Sequence, residues 1–215
     1  MRPSWLKLVT LRRLTHGGQC QFVVPARVAR LLQSRSIGPV HELDWGESLP
    51  LARCTIHSVP ALHFSARTLF DRNRTLWCGY VIDAADRIVY FAGDTAFGAH
   101  FAQIRVKFGP PALALLPIGA YEPRWFMQPI HMNPAEAVQA HVDLEASTSV
   151  GMHFGTFRLT AEGIDEPLRA LDEACRAREI PRSRFRTLRF GESLRLERRG
   201  SAFDVRVMTP EADMV

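Results

Sequence analysis

The sequence predicts a mixed α/β domain in which strands and helices alternate. Short apolar runs of strand length alternate with longer runs whose apolar residues recur at helical spacing. The composition, 47% hydrophobic and 23% charged residues in a chain of 215, is that of a folded domain with a sizeable core. We expect one domain over residues 1–209 and a loose tail over residues 210–215.

The strand assignments rest on short runs rich in apolar and β-branched residues. The predicted strands cover residues 21–24, 40–43, 51–59, 76–82, 88–92, 112–118, 147–152, 192–197 and 203–207. The acidic segment 83–86 separates two of these runs and predicts a hairpin. The run 112–118 is apolar throughout and predicts a buried strand.

The helix assignments rest on helical periodicity and on end signals. Helices are predicted over residues 26–33, 97–108, 134–144 and 165–178. The third has the clearest start, because Asn133 is a favoured N-cap, Pro134 suits the first helical position, and Glu136 stands where a capping box needs it. The second ends at Gly109-Pro110.

The chain is basic, with a formal net charge of +5. Arginine clusters occur near residues 12–13, 182–189 and 195–199. Two interpretations stay open: a solvated basic surface, or weak attraction to anionic lipid or to a phosphate-bearing substrate. We expect no nucleic-acid partner, because aromatic residues are not interleaved with the basic runs as a base-stacking surface requires.

Targeting and redox signals are few. The four cysteines form no Cys-x-x-Cys pair, which favours buried reduced thiols over a thiolate metal site. No segment approaches the ~20 apolar residues of a membrane span, and the first residues lack the apolar core of a signal peptide. We therefore expect a cytoplasmic protein.

Three candidate metal ligands, His63, Asp94 and His153, each follow a predicted strand. Open α/β folds place ligands outside the carboxyl ends of strands, and zinc accepts imidazole nitrogen and carboxylate oxygen. A carboxylate between two ions can bridge them, as two-metal hydrolases require. Each residue also has an ordinary interpretation: Gly93-Asp94-Thr95 is compatible with a simple turn, and a lone histidine with a satisfied core or surface position.

Several stretches resemble the metallo-β-lactamase superfamily, and more closely its N-acylphosphatidylethanolamine-hydrolysing phospholipase D branch. They cover residues 41–45, 60–67, 75–79, 90–95, 116–127, 131–138 and 153–157. The stretch Gly-Ala-Tyr-Glu-Pro-Arg-Trp-Phe-Met at residues 119–127 is the most specific. The resemblance extends from about residue 10 to residue 196.

This resemblance implies a four-layer αββα sandwich with two zinc ions. His63 would hold one ion, His153 the other, and Asp94 would bridge them. His131 would lie near the substrate phosphate and act in catalysis with Asp94, and Tyr121 and Arg124 would bind substrate. The implied reaction hydrolyses a phosphodiester, releasing an N-acylethanolamine and phosphatidic acid from a phospholipid, with peripheral membrane contact.

The sequence departs from the family pattern in one important place. The His-x-His-x-Asp-His loop should precede residue 10, but residues 1–9 contain neither histidine nor aspartate, and His16 is predicted to be a loop residue. We therefore expect an N-terminally truncated sandwich with an open sheet edge, weak zinc binding, homodimerisation and impaired activity. The alternatives are a non-catalytic protein that binds lipid or a partner, and a different enzyme, for example one with a single metal ion, that acts on another ester or a lactone. Leu62 and Ile130 stand where relatives often have Gln, which leaves the substrate open.

Overall fold

The computed structural model describes residues 8–15, 20–68, 70–84, 86–199 and 202–209. The predictions for residues 1–7, for His16 and for the tail at 210–215 lie outside these residues. The helices are α1 Leu8–Thr15, α2 Ala29–Gln33, α3 His100–Phe108, α4 Arg124–Met127, α5 Pro134–Asp143 and α6 Glu166–Ala177. The strands are β1 Phe22–Pro25, β2 Val40–Leu43, β3 Ser48–Pro50, β4 Cys54–Val59, β5 Gly79–Ala84, β6 Arg87–Phe91, β7 Leu113–Pro117, β8 Thr148–Met152, β9 Phe185–Thr187, β10 Ser193–Arg199 and β11 Ala202–Met208.

A seven-stranded mixed sheet, in the order β3-β4-β5-β6-β7-β8-β9, organises the described part of the chain. Strands β3 to β6 pair antiparallel, and β6 to β9 pair parallel. Because β5 runs antiparallel to both β4 and β6, these two strands point the same way as β7 and β8. The carboxyl ends of these four strands, and that of β9, therefore meet at one edge of the sheet.

The main core lies between this sheet and helices α3, α5 and α6. Tyr90 and Leu116 of the sheet pack there with Phe101, Val138 and Leu171 from the three helices, and all five are fully buried. The capping box predicted for α5 is present, since Asn133 and Glu136 each bond the other's backbone N–H. Helix α5, central among the three, thus begins where the sequence indicated.

A smaller core forms around the parallel pair β1–β2 and helix α2. It contains Val24, Leu32 and Ile37, with Leu8 and Leu11 of α1 packed against it. The hydroxyl of Tyr80 in the large sheet donates a hydrogen bond to the Val23 carbonyl at 3.3 Å, which joins this unit to β5. A separate antiparallel hairpin consists of β10 and β11.

The predicted mixed α/β class is confirmed, but several boundaries were wrong. The strand predicted over residues 51–59 begins only at Cys54, because residues 51–53 form a turn. The Leu51 N–H donates to the Cys54 carbonyl at 2.8 Å and closes a hairpin between β3 and β4. The sequence does not show this turn, because Leu51 is apolar and therefore suggests a buried strand position, whereas its side chain is exposed. The predicted elements at 26–33, 76–82 and 97–108 each begin three residues later than expected. The described residues contain no helix long and apolar enough to cross a membrane.

Candidate metal centre

Four segments that follow strands of the large sheet bring the candidate ligands together. His63 follows β4, Asp94 follows β6, and His153 follows β8 directly. His131 lies between β7 and α5. Since these four strands point the same way, the segments that follow them share one edge of the sheet. His63, Asp94, His131 and His153 form one cluster there.

His63 is held with one ring nitrogen turned toward the cluster. Its Nδ1 lies 2.7 Å from the carbonyl oxygen of Phe64. A carbonyl can only accept a hydrogen bond, so Nδ1 carries the proton and Nε2 presents its lone pair. The ring also stacks on the Phe64 ring, with centroids 4.9 Å apart and planes 1° from parallel. Such a hydrogen bond on the far nitrogen commonly fixes the tautomer and orientation of a metal-binding histidine.

His131 is the most buried histidine of the cluster, with 7% of its surface exposed. Its Nε2 lies 3.3 Å from Nε2 of His63, and its ring stacks against His153 with centroids 5.2 Å apart. Its Nδ1 has no hydrogen-bond partner among the described residues. Burial lowers the pKa of His131 to about 4, with His63 and His153 acting in the same direction against Asp94. The ring is therefore neutral near pH 7.

Asp94 lies between the histidines. Its Oδ2 is 3.5 Å from Nε2 of His153, and its carboxylate is also within 4.8 Å of the ligand nitrogens of His63 and His131. The His153 backbone has φ 61°, and its carbonyl packs so closely on Gly119 that a Cβ there would lie 2.3 Å from it. A glycine at position 119 is therefore required for this placement of His153.

This donor set fits a cation that prefers nitrogen and oxygen ligands. Two nitrogens held about 2.0–2.1 Å from one tetrahedral zinc lie about 3.3 Å apart, the separation seen between the His63 and His131 Nε2 atoms. Asp94 adds a carboxylate oxygen to the same group. Neutral imidazole and ionised carboxylate are the ligand forms that zinc needs. The strand ends in the sequence singled out His63, Asp94 and His153. Among the described residues, the three whose ligand atoms all lie within 4.8 Å of one another are His63, Asp94 and His131.

Arg124, a candidate for substrate binding, forms several hydrogen bonds within the protein. Its Nη2 donates to both carboxylate oxygens of Glu136, at 2.9 and 2.8 Å. Its Nη1 donates to the His131 carbonyl at 3.1 Å. The guanidinium thus connects the start of α5 to the backbone of His131. Tyr121 is also turned away from free solvent: it is buried, and its hydroxyl donates to Glu166 at 3.4 Å.

Two residues near the cluster were missed by sequence reasoning. Glu162 is buried and accepts hydrogen bonds from the backbone N–H groups of Ala120 and Glu122, at 2.6 and 3.1 Å. Burial alone would raise the pKa of Glu162, but hydrogen bonds from the Thr160 hydroxyl and these N–H groups outweigh it and lower the pKa. Thr95, next to Asp94, is also buried. The Gly-Asp-Thr motif offered a signal for Thr95, whereas a lone acidic residue in a loop offered none for Glu162.

The fold and this site match a known class of proteins. Residues 6–154 match the family model described as a beta-lactamase superfamily domain. The chain belongs to the metallo-β-lactamase superfamily.

Relatives within this class indicate a particular branch. The chain is 40% identical over 195 residues to N-acyl-phosphatidylethanolamine-hydrolyzing phospholipase D 1 of Caenorhabditis elegans, an alignment that covers 85% of this chain and 55% of that protein. It is 35% identical over 177 residues to the mitochondrial N-acyl-phosphatidylethanolamine-hydrolyzing phospholipase D of Saccharomyces cerevisiae, covering 79% of this chain and 38% of that protein. The chain thus spans about half or less of the length of these relatives.

A solved structure shares the fold. A metallo hydrolase of Ignicoccus hospitalis superposes with a TM-score of 0.61 and 18% sequence identity, over 92% of this chain and 72% of that chain. The predicted fold family is therefore confirmed.

Proposed function

We propose that this chain carries part of a zinc-dependent phosphodiesterase site that acts on a phospholipid, and that this part alone turns substrate over poorly. The observation that carries the proposal is the convergence of His63, Asp94, His131 and His153 at the carboxyl ends of parallel strands. Structural stability does not require three histidines and a carboxylate at one sheet edge. Metal-assisted hydrolysis uses such nitrogen and oxygen donors to hold its ions.

The ligand set favours one ion in these residues. His63 and His131 supply two nitrogens at a spacing suited to one zinc, and Asp94 supplies an oxygen. The Nε2 atom of His153 lies 3.5 Å from the Asp94 carboxylate. If Asp94 bridged two ions, the second ion would need a ligand at the position of His153. The chemistry that zinc supplies when bound is Lewis-acid polarisation of a phosphoryl oxygen and acidification of water. We propose the ligand role for His131 in preference to direct phosphate contact, because its nitrogen belongs to the three-donor group.

The protein's own groups would prepare this site for a substrate. Arg124 fixes the backbone of His131, and Glu162 fixes the turn at residues 120–122 that leads toward it. Burial keeps His131 neutral, which preserves its lone pair near pH 7. These contacts hold the donors before any ligand arrives, and such preorganisation is what positions reacting groups efficiently.

A phospholipid is the substrate class that we favour. The relatives in worm and yeast are both named as hydrolysing N-acyl-phosphatidylethanolamine. Exposed apolar side chains near the site suit a molecule with an apolar portion and contact with a lipid surface. They are Trp125 and Phe126 on α4, and Phe157 and Leu159 on the loop after β8. The net charge of +5 favours an anionic partner.

Impaired turnover follows from the number of donors. A catalytic zinc usually has about three protein ligands, so a two-ion site with one shared carboxylate needs more donors than these four. The second candidate function is therefore a non-catalytic protein that binds lipid or a partner through the same edge. The small number of donors that the described residues bring to this edge is the observation that favours it.

Zinc binding by the purified chain is the first test. Competition against a chromophoric chelator should give about one zinc per chain at most, held weakly. His63→Ala, Asp94→Ala and His131→Ala should abolish or strongly weaken binding, and His41→Ala in β2 should not. Equal binding in all variants would place any zinc elsewhere and remove the basis of the proposal.

Hydrolysis is the second test. Bis-p-nitrophenyl phosphate and N-acylphosphatidylethanolamine are incubated with the zinc-loaded chain, and with a version extended at its start by a segment bearing the His-x-His-x-Asp-His loop. We expect turnover only in the extended version, and its loss on Asp94→Ala. Zinc binding without turnover in both versions would favour the non-catalytic function. Turnover by the unextended chain that Asp94→Ala abolishes would refute the proposed impairment.

A further inference from the structure

Thr95 occupies the centre of the loops that carry the ligands. It follows Asp94 directly and has no exposed surface. Its hydroxyl oxygen accepts a hydrogen bond at 2.9 Å from the backbone N–H of Leu62, the neighbour of His63. The two residues are 33 positions apart in the chain, so this bond connects two different loops. The side chain of Thr95 thereby fixes the backbone immediately before one ligand, while its own backbone follows another.

The backbone around Thr95 extends the same connection. The Thr95 carbonyl oxygen accepts from the N–H of Met132 at 3.2 Å, directly after His131. The N–H of Ala96 donates to the Leu62 carbonyl at 2.8 Å. The segment Thr95–Ala96 follows Asp94 and is hydrogen-bonded to the residues next to His63 and His131. It therefore connects the loops that carry the three grouped donors.

The direction of the hydroxyl proton is also constrained. Because the Thr95 oxygen accepts from an N–H, its own proton must point to another acceptor. The Ala96 carbonyl lies 2.9 Å from the oxygen, and Nε2 of His100 lies 3.3 Å from it. His100 itself is buried at the start of α3. The hydroxyl therefore accepts a hydrogen bond on one side and has acceptors within reach on the other.

We propose that Thr95 is a positioning residue for the metal site, which sets the relative placement of His63, Asp94 and His131 through its hydrogen bonds to the adjacent backbone. The inference rests on the proposed metal-binding function. Groups that orient ligands without touching the metal typically change metal affinity or activity by ~10–100-fold when they are removed. A change of that size is expected here.

The experiment compares matched variants. Thr95→Val keeps the shape but removes the hydroxyl, and Thr95→Ser keeps the hydroxyl. Thr148→Val makes the same isosteric change at a buried threonine at the opposite end of β8 from His153. Zinc affinity is measured by chelator competition. In parallel, hydrogen exchange of the Leu62 amide is measured by NMR in metal-free protein. This second measurement needs neither metal nor activity.

Thr95→Val should weaken zinc binding ~10–100-fold and speed Leu62 exchange by about tenfold or more, since that N–H loses its acceptor. Thr95→Ser should restore both values to within about threefold of the original. If Thr95→Val does not fold, Thr95→Ala is compared with Thr95→Ser instead.

Unchanged zinc affinity in Thr95→Val would overturn the inference, as would an equal loss in Thr148→Val, which would indicate general destabilisation. If the original chain binds no zinc, the proposed function fails by itself. The Leu62 amide then decides the positioning role: unchanged exchange in Thr95→Val refutes it, and faster exchange that Thr95→Ser reverses supports it.

Discussion

The Nε2 atoms of His63 and His131 lie 3.3 Å apart, although 68 residues separate the two histidines in the chain. The reversal of β5 makes this contact possible, because it leaves β4 parallel to β6 and β7. Both histidines then emerge at the same sheet edge. Two imidazole nitrogens at this distance can share either a proton or a cation, and the separation is the one expected for two ligands of a single zinc ion.

Close packing at Gly119 should be essential for the site. In Gly119→Ala the new Cβ would lie 2.3 Å from the His153 carbonyl oxygen and 3.2 Å from the Phe154 side chain. Backbone must move to relieve this contact, at a cost of about 1–3 kcal/mol or more, and His153 moves with it. We expect lower thermal stability together with weaker zinc binding.

Gly155→Ala is the matched control for that substitution. A Cβ at Gly155 would meet nothing within 4 Å, but its φ of 76° makes an alanine there cost about 1–2 kcal/mol. The thermal unfolding midpoint should fall in both variants, whereas zinc affinity should fall only in Gly119→Ala. Equal zinc affinity in Gly119→Ala and the original chain would show that His153 tolerates the displacement.

Glu136 should have two separable roles. Its carboxylate accepts from the Asn133 backbone N–H at 2.9 Å, and it pairs with Arg124. Glu136→Gln keeps an acceptor for the cap but loses the ion pair, and should lower the free energy of unfolding by about 1–2 kcal/mol. Glu136→Ala should cost about 0.5–1 kcal/mol more, because the acceptor for the Asn133 N–H is also lost, while the Asn133 side chain still caps the N–H of residue 136. Urea denaturation measures both.

Zinc affinity gives the functional part of this prediction. Arg124 holds the His131 carbonyl, so both Glu136 variants should bind zinc more weakly than the original chain by similar factors. A loss confined to Glu136→Ala would instead assign the effect to the helix start.

Much of the fold could be predicted from local patterns. The cap at Asn133 and the strand 40–43 were predicted at the residues where they occur. Helix α4 and strand β9 were not predicted, because segments of three or four residues carry little periodicity and depend on tertiary contacts. The turn at residues 51–53 was missed because its residues lack Gly, Asn and Asp.

The site was predictable by residue type but less so by contact. Strand ends and the family resemblance singled out His63, Asp94, His131 and His153, and the structure brings all four together. The pairing of Arg124 with Glu136 could not be predicted from the sequence, because it depends on how α4 lies against the start of α5. Homodimerisation stays a prediction. Both edge strands of the large sheet, β3 and β9, have only three residues, which limits edge pairing.

His141 should make the stability of the fold sensitive to acid. It is 4% exposed, and its Nδ1 lies 2.8 Å from the Ser149 hydroxyl oxygen. Burial, aided by the Arg184 cation, lowers the pKa of His141 to about 4. An unfolded histidine has its ordinary pKa of about 6.5, so between these values the unfolded state binds the proton more tightly. The stabilising contribution is therefore complete above pH 6.5 and is lost as the pH falls toward 4.

Urea denaturation between pH 7 and pH 4 tests this contribution. The original chain should lose roughly 3 kcal/mol more of its free energy of unfolding over that window than His141→Gln, which has no titrating ring. Parallel pH profiles for the two proteins would show that His141 does not contribute in this way.

Contact with a lipid surface should depend on α4. Trp125 is 82% exposed and Phe126 is 59% exposed, and they lie next to each other with ring centroids 5.6 Å apart. Transfer of either side chain from water to the boundary of a bilayer is favourable, because the aromatic ring leaves water. Replacing both with Ser should weaken binding to phosphatidylethanolamine–phosphatidylglycerol vesicles by about tenfold or more, because even partial burial of two rings exceeds the 1.4 kcal/mol that a factor of ten represents. The thermal unfolding midpoint should not fall, since these side chains support little of the core.

Phe190→Ser is the control, at an aromatic residue that is 85% exposed and lies between β9 and β10. It removes a comparable apolar side chain from a different part of the chain. Vesicle co-sedimentation at low salt and at 0.5 M salt, which screens attraction between the basic chain and the anionic lipid, separates the apolar contribution from charge. If α4 inserts into the bilayer, the double variant loses binding at both salt concentrations and Phe190→Ser does not. An equal loss in Phe190→Ser would mean that any exposed aromatic serves, and binding abolished by salt in every protein would leave charge alone as the cause.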